Sequence, residues 1–135
     1  MTFKFELVSP ERVLMSADVQ QVVLPGTEGD FTVLVGHAPF VSTLRPGVLD
    51  VTTADGRKRL LVKGGFAEVQ PTGLTVLAEQ AFDVADLDGP KIARELETAE
   101  AELAAAKDDE ARLHASTLVE QLRMLQGGGQ AGRAH

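Results

Sequence analysis

The sequence predicts a β + α protein, an N-terminal antiparallel β-sandwich followed by a C-terminal antiparallel two-helix hairpin. Three observations carry this. Up to about residue 80, short runs rich in β-branched and apolar residues recur every ~8 to 12 residues between glycine- and proline-bearing breaks. Near residue 83 that composition gives way to alanine, leucine and glutamate, the material of helices. From there on the apolar positions step by three and four, in two series separated by "KDDE" at 107 to 110.

The first strand is read from Phe3, Phe5 and Leu7 alternating with Lys4 and Glu6, the period of a half-buried strand. Further strands are expected at "DVQQVVL" from Asp18, "DFTVLV" from Asp30, "GVLDVTT" from Gly47, "RKRLLVK" from Arg57, "FAEVQ" from Phe66 and "LTVLAE" from Leu74. Turns are expected at "PG" (25–26), "RPG" (45–47), "DG" (55–56), "KGG" (63–65) and "PTG" (71–73), where proline fixes φ and glycine frees it. The basic cluster Arg57, Lys58 and Arg59 follows Asp55-Gly56 and reads as a charged hairpin end that guards a sheet edge.

In the helical part, Ile92, Leu96, Ala99, Leu103 and Ala106 form one seam, and Ala111, Ala115, Leu118, Leu122 and Leu125 form a second. Asp88 is placed to cap the first helix, with Pro90 in its opening turn, and Asp108 or Asp109 to cap the second. The short connection makes the helices antiparallel. Two small seams barely offset the entropy of ordering a hairpin of this size, so the hairpin needs a further surface to lean on. The predicted organisation is a sandwich over 1–86, a hairpin over 87–126 and a flexible glycine-rich tail over 127–135, in which "GGGQAGRAH" stops the second helix.

Composition narrows the chemistry. The 135 residues include no cysteine, which removes disulfides, thiolate nucleophiles and cysteine-ligated metals together. A net charge of −7 argues against a phosphate-backbone binder, so no nucleic-acid partner is expected. No apolar run approaches the ~18 residues of a membrane span, and the N-terminus lacks the pattern of a signal peptide. His37, His114 and His135 are scattered without metal-ligand spacing, and Ser9, Ser42 and Ser116 lack a nucleophile-elbow frame. "GGGQAG" at 127 to 132 matches G-x-G-x-x-G formally, but no strand precedes it. Glu95, Glu97, Glu100 and Glu102 read as a solvated helix face, with cation binding the lesser alternative. No cofactor and no metal is expected. His37 sits between Gly36 and Ala38-Pro39, where it can serve as a base, a ligand or a contact residue, and the local sequence leaves the choice open.

Several stretches together are more specific than any single motif. "EGDFTVLVGHAP" (28–39), "LRPGVLDV" (44–51) and "VKGGFAEVQPTGLTVLAEQA" (62–81), followed by the helical pair, resemble the epsilon subunit family of F-type rotary ATP synthases. The resemblance keeps the same order over most of the chain. It implies a β-sandwich and a helical hairpin, and a non-catalytic place in the central stalk that couples proton-driven rotation to ATP synthesis. The implied partners are the gamma subunit and the proteolipid c-type ring, with the alpha and beta subunits of the catalytic head as a further contact of the hairpin. The implied location is peripheral, on the cytoplasmic face of the bacterial inner membrane, without membrane insertion.

By the same resemblance, Glu28, Gly29 and Asp30 would face the polar loops of the ring, and Gly36, His37, Ala38 and Pro39 would lie near the gamma junction. A locally hydrogen-bonded turn is the alternative reading of His37, and the two are compatible. Some members of the family bind ATP through [I/L]-D-x-x-R-A. Here the aligned stretch is "LDGPKI" (87–92), with Lys91 for arginine and Ile92 for alanine. Lysine lacks the planar fork that holds phosphate bidentately, so nucleotide binding is expected to be weak or absent. Asp88, Lys91, Arg94 and Arg123 are the residues that would take part in it. Two other readings stay open: a regulatory inhibitor of hydrolysis acting through the hairpin, and an unrelated ligand-binding β-sandwich.

Overall fold

The N-terminal alternation becomes strand β1 (Phe3–Val8), which buries Phe5 and Leu7 on one face and presents Lys4 and Glu6 on the other. In this computed structural model residues 1–134 are described, with side chains described through residue 127. Strands β2 (Val13–Val19), β3 (Gln21–Gly26), β4 (Gly29–Leu34), β5 (Phe40–Thr53), β6 (Gly56–Gln70), β7 (Gly73–Leu77) and β8 (Ala81–Asp83) follow, and then a single 3-10 turn at Val84–Asp86. Hydrogen bonding runs continuously in the order β2-β1-β7-β6-β5-β3-β4, with β8 on β6. All pairs are antiparallel except β1 with β7. Turn signals in a sequence identify hairpin neighbours, whereas β1 and β7 are far apart in the chain and no hairpin constrains their direction.

The long strands β5 and β6 belong to both layers of the sandwich. Their C- and N-terminal halves respectively lie beside β3 and β8, while the remaining halves continue into β7, β1 and β2. Inner faces of the two layers meet in one core that contains Phe5, Leu7, Val19, Val22, Leu24, Val33, Leu49, Val51, Val62, Ala67, Val69, Leu74 and Val76. Among the described residues no polar or charged side chain is buried.

Three expected turns are corrected by the structure: "PG" at 25–26 ends β3, paired with Asp30 and Gly29, and the chain reverses just after it at Thr27-Glu28, while the other two fall within longer strands. "RPG" at 45–47 and "KGG" at 63–65 lie inside β5 and β6, opposite each other, and the pairing register is the same on both sides of them. Only Arg45 opposite Gly64 is missing from the ladder. There the inward-facing parity changes in both strands at once: Leu49 and Val51 give way to Leu44, and Leu60 and Val62 give way to Ala67 and Val69. An interruption shared by both strands, with no residue inserted in either, bends the sheet while leaving the flanking pairs in place. Gly65 makes the bend possible: it sits at φ +143°, and a Cβ there would lie 2.0 Å from the Leu77 carbonyl oxygen. A further difference is at "DVQQVVL", which is broken at Gln20 between β2 and β3, with "VLMSA" joining the first of them.

The second compact unit, Ala85–His135, follows the first, Met1–Val84. Helix α1 (Gly89–Ala105) starts at Asp88, whose carboxylate accepts from the Lys91 N–H at 2.8 Å, with Pro90 in the first turn. Helix α2 (Asp109–Ala134) is capped by Asp108, which accepts from the Ala111 N–H at 2.7 Å. The short connection turns the chain back, and Arg123 of α2 reaches Glu100 of α1 at 2.7 Å. Ile92, Ala99, Ala115, Leu118, Leu122 and Leu125 are buried as the seams predict; Val119 joins them, and Ala111 is exposed. Helix α2 runs on past the glycines at which its stop is expected. Glycine costs about 1 kcal/mol per helical residue and so weakens a helix without forbidding it. Side chains of the expected tail beyond Gly127, and all of His135, lie outside the described residues.

Replacing Gly65 by alanine is expected to destabilise the sandwich by more than about 2 kcal/mol in urea unfolding, from the forced φ and the collision with Leu77. Gly89→Ala, where the added methyl meets nothing within 4 Å, is expected to change stability by less than about 0.5 kcal/mol.

Candidate functional site

The tip of the β3–β4 hairpin is a two-residue loop, Thr27-Glu28, closed by Gly26 paired with Gly29. Space there is short: a Cβ on Gly26 would lie 2.6 Å from the Gly29 carbonyl oxygen and 2.9 Å from the Phe31 ring. Gly29 and Gly36 both take positive φ, +129° and +82°. The tip is tied to β5. Thr27 N–H donates to the Thr43 carbonyl at 3.0 Å, and the two threonine hydroxyls lie 2.9 Å apart. The Arg45 guanidinium reaches the Gly26 carbonyl and the Asp30 carboxylate, each at 2.6 Å. Arg45 is absent from the expected site, because its sequence context "RPG" reads as a turn and nothing local points to its long reach.

The loop after β4 carries the second expected segment. His37 N–H donates to the Leu34 carbonyl at 3.2 Å, and its Nδ1 lies 3.0 Å from the Ala38 carbonyl oxygen. Its ring centroid is 5.2 Å from that of Phe40, which makes an edge-on contact with Phe31, also at 5.2 Å. This chain of rings joins the segment ending at Pro39 to the strand that begins at the tip. Glu28, Gly29 and Asp30 on one side, and Gly36, His37, Ala38 and Pro39 on the other, therefore flank a common aromatic contact.

Strand register builds a third feature that the sequence does not display. On the outward face of the layer β2-β1-β7-β6-β5, Val13 lies beside Val8, Val8 beside Leu77, Leu77 beside Phe66, and Phe66 beside Thr43. With Val41 in the adjoining row, these form an apolar band across five strands. Phe66 is 51% exposed, Val13 56% and Val41 65%, so the other strands of the sandwich do not cover the band. Opposite-charge pairs guard the far end of the β5–β6 hairpin: Arg57 grips Asp50 with both sides of its fork, and Lys58 lies 3.6 Å from Asp83. Hydrogen bonding to Asp50, then its charge, raises the Arg57 guanidinium above its ordinary pKa.

The candidate nucleotide residues are spread along the hairpin, two of them held in contacts of their own. Asp88 is engaged as the cap of α1, Arg123 is paired with Glu100, and Lys91 and Arg94 are exposed on the first turns of α1. His114 is exposed beside Glu102, Asp108 and Glu110 on a shallow depression at the hairpin turn. Among the described residues there is no group of three side chains able to hold a metal ion, and no helix long and apolar enough to cross a membrane.

The family model for the β-sandwich domain of the ATP synthase delta/epsilon chain matches residues 2–84. The chain belongs to the ATP synthase delta/epsilon family. It is 50% identical over 126 residues to the ATP synthase epsilon chain of Mesorhizobium japonicum, covering 93% of each chain. To the epsilon chain of Maricaulis maris it is 51% identical over 122 residues, covering 90% of this chain and 92% of that one. Among solved structures it is similar to a chain of the Euglena gracilis mitochondrial ATP synthase OSCP/F1/c-ring assembly. That match has a TM-score of 0.72 and 25% identity, over 94% of this chain and 81% of that one. A chain of the Tetrahymena thermophila central stalk and c-ring structure shares the fold, with a TM-score of 0.68 at 13% identity over 93% and 97% of the two chains. The family resemblance in the sequence is thus established over both the strand-rich and the helical parts.

Asp88→Ala is expected to speed hydrogen exchange of the first-turn amides of α1 roughly fivefold, as loss of a cap of about 1 kcal/mol requires. Asp88→Asn, which keeps an acceptor, is expected to leave them near the wild-type rate.

Proposed function

We propose that this chain is the non-catalytic epsilon subunit of a bacterial F-type ATP synthase rotor, bound between the gamma subunit and the proteolipid ring. In this reading it lies peripherally on the cytoplasmic face of the inner membrane. Proton-driven rotation of the ring passes through the sandwich to gamma and so to catalytic sites on other subunits. The observation that carries the reading beyond family membership is the uncovered apolar band of Val13, Val8, Leu77, Phe66 and Val41. A contiguous apolar face that the sandwich leaves exposed is the mark of a protein interface, and gamma is its proposed occupant. The segment Gly36–Pro39, joined to that face through Phe40 and Val41, belongs to the same junction. Glu28, Gly29 and Asp30, at the tight polar tip of the β3–β4 hairpin, fit the polar loops of the ring. The helical hairpin supplies the further contact with the alpha and beta subunits.

Torque transmission asks for stiffness and two faces, not for reacting groups. A sandwich whose two layers share the same long strands offers both. Nucleotide has no controlling part in this reading. Ile92 is buried where the ATP-binding motif has a small residue, and Asp88 and Arg123 are engaged within the hairpin.

Affinity-tagged chain expressed in its own cells is expected to recover gamma and the proteolipid ring from detergent-solubilised membranes. The double variant Phe66→Asp/Val41→Asp is expected to recover gamma at least about tenfold less well while unfolding at the wild-type temperature, because it places charge on a desolvated face. Recovery of neither partner by the wild type, or undiminished recovery by the variant, defeats the proposal. Isothermal titration with Mg-ATP is expected to give no binding in the micromolar range.

A further inference from the structure

We infer that Arg45 is the positioning residue of the β3–β4 tip, holding Thr27 to Asp30 in the single conformation that the ring loops bind. The inference rests on the proposed ring contact and deepens it. Arg45 is the β5 residue with no partner in the β5–β6 ladder, at the bend where both strands change the face they turn inward. Its side chain is directed instead to the hairpin. Nη1 donates to the Gly26 carbonyl, just before the loop, and Nη2 to Asp30 Oδ1, just after it. One planar fork therefore spans both ends of the turn, which lysine, a point charge, does not do. The Thr27–Thr43 backbone and hydroxyl bonds make a second anchor from the same strand. Between the anchors, Glu28 projects at the exposed apex.

The pair contributes little to global stability. Asp30 is 62% exposed and Arg45 35%, and exposed ion pairs are heavily screened. What it does is local. A two-residue loop fixed before the partner arrives loses less freedom on binding than one that must be ordered by it. The corner of the sandwich and the apex of its hairpin are thereby coupled through one side chain.

The test compares full-length wild type with Arg45→Met and Arg45→Lys, each rebound to ring-containing ATP synthase stripped of its own epsilon subunit. Arg45→Met is expected to unfold within about 2 °C of wild type. It is expected to show about tenfold faster exchange of the Thr27 amide with no change at the Val51 amide, and to bind the complex about tenfold more weakly. Arg45→Lys is expected to recover part of both losses. Wild-type binding by Arg45→Met overturns the inference, and so does a loss of unfolding temperature well beyond that margin, which makes the residue a general stabiliser. Glu28→Lys, measured alongside, separates the two levels. If it weakens binding while Arg45→Met does not, the tip contacts the ring and Arg45 does not position it; if neither weakens binding, the ring contact falls as well.

Discussion

The bend shared by β5 and β6 is the constraint on which the rest of the molecule depends. Because the two strands keep one register from Phe40 paired with Val69 to Thr53 paired with Gly56, the layers of the sandwich are halves of a single hydrogen-bonded hairpin. Shear between the layers then requires breaking ladder bonds near the corner, not merely sliding apolar side chains. Two close approaches lock that corner: Gly65 lies under the backbone of β7 at Leu77, and Gly47 lies against the Pro25 ring, where a Cβ would come within 2.8 Å. The sandwich is stiff for reasons of covalent continuity and close packing together.

Much of this is legible in the sequence, though unevenly. Alternation in "FKFEL", the turn at "DG" and the turn at "PTG" report local geometry and are found where they are read, as are Asp88 and Asp108 at the helix starts. The signals "RPG" and "KGG" are misread as turns because glycine and proline report only that the backbone leaves ideal strand geometry. Whether it reverses or bends depends on what pairs alongside, and each of these segments has the other opposite it. The same ambiguity hides Arg45, whose acceptors at Gly26 and Asp30 lie 19 and 15 residues away in sequence.

The candidate interface divides along the same line. Glu28 to Asp30 and Gly36 to Pro39 are contiguous motifs, so a family resemblance can mark them. The apolar band is assembled from one or two residues on each of five strands, and no window of sequence contains it. Register alone makes Val13, Val8, Leu77 and Phe66 neighbours. An exposed valine or phenylalanine is unremarkable by itself; four in a row across a sheet form a surface. The composition contains no cysteine.

That composition also permits a direct measurement. With no native cysteine to compete, Phe66→Cys carrying a short photoreactive crosslinker can be assembled into the intact ATP synthase and illuminated. If the outward apolar band is the gripped face, the crosslinked product joins this chain to gamma in high yield and to no ring subunit. A product that contains only ring subunits, or a position that stays open to solvent and crosslinks to nothing, contradicts it.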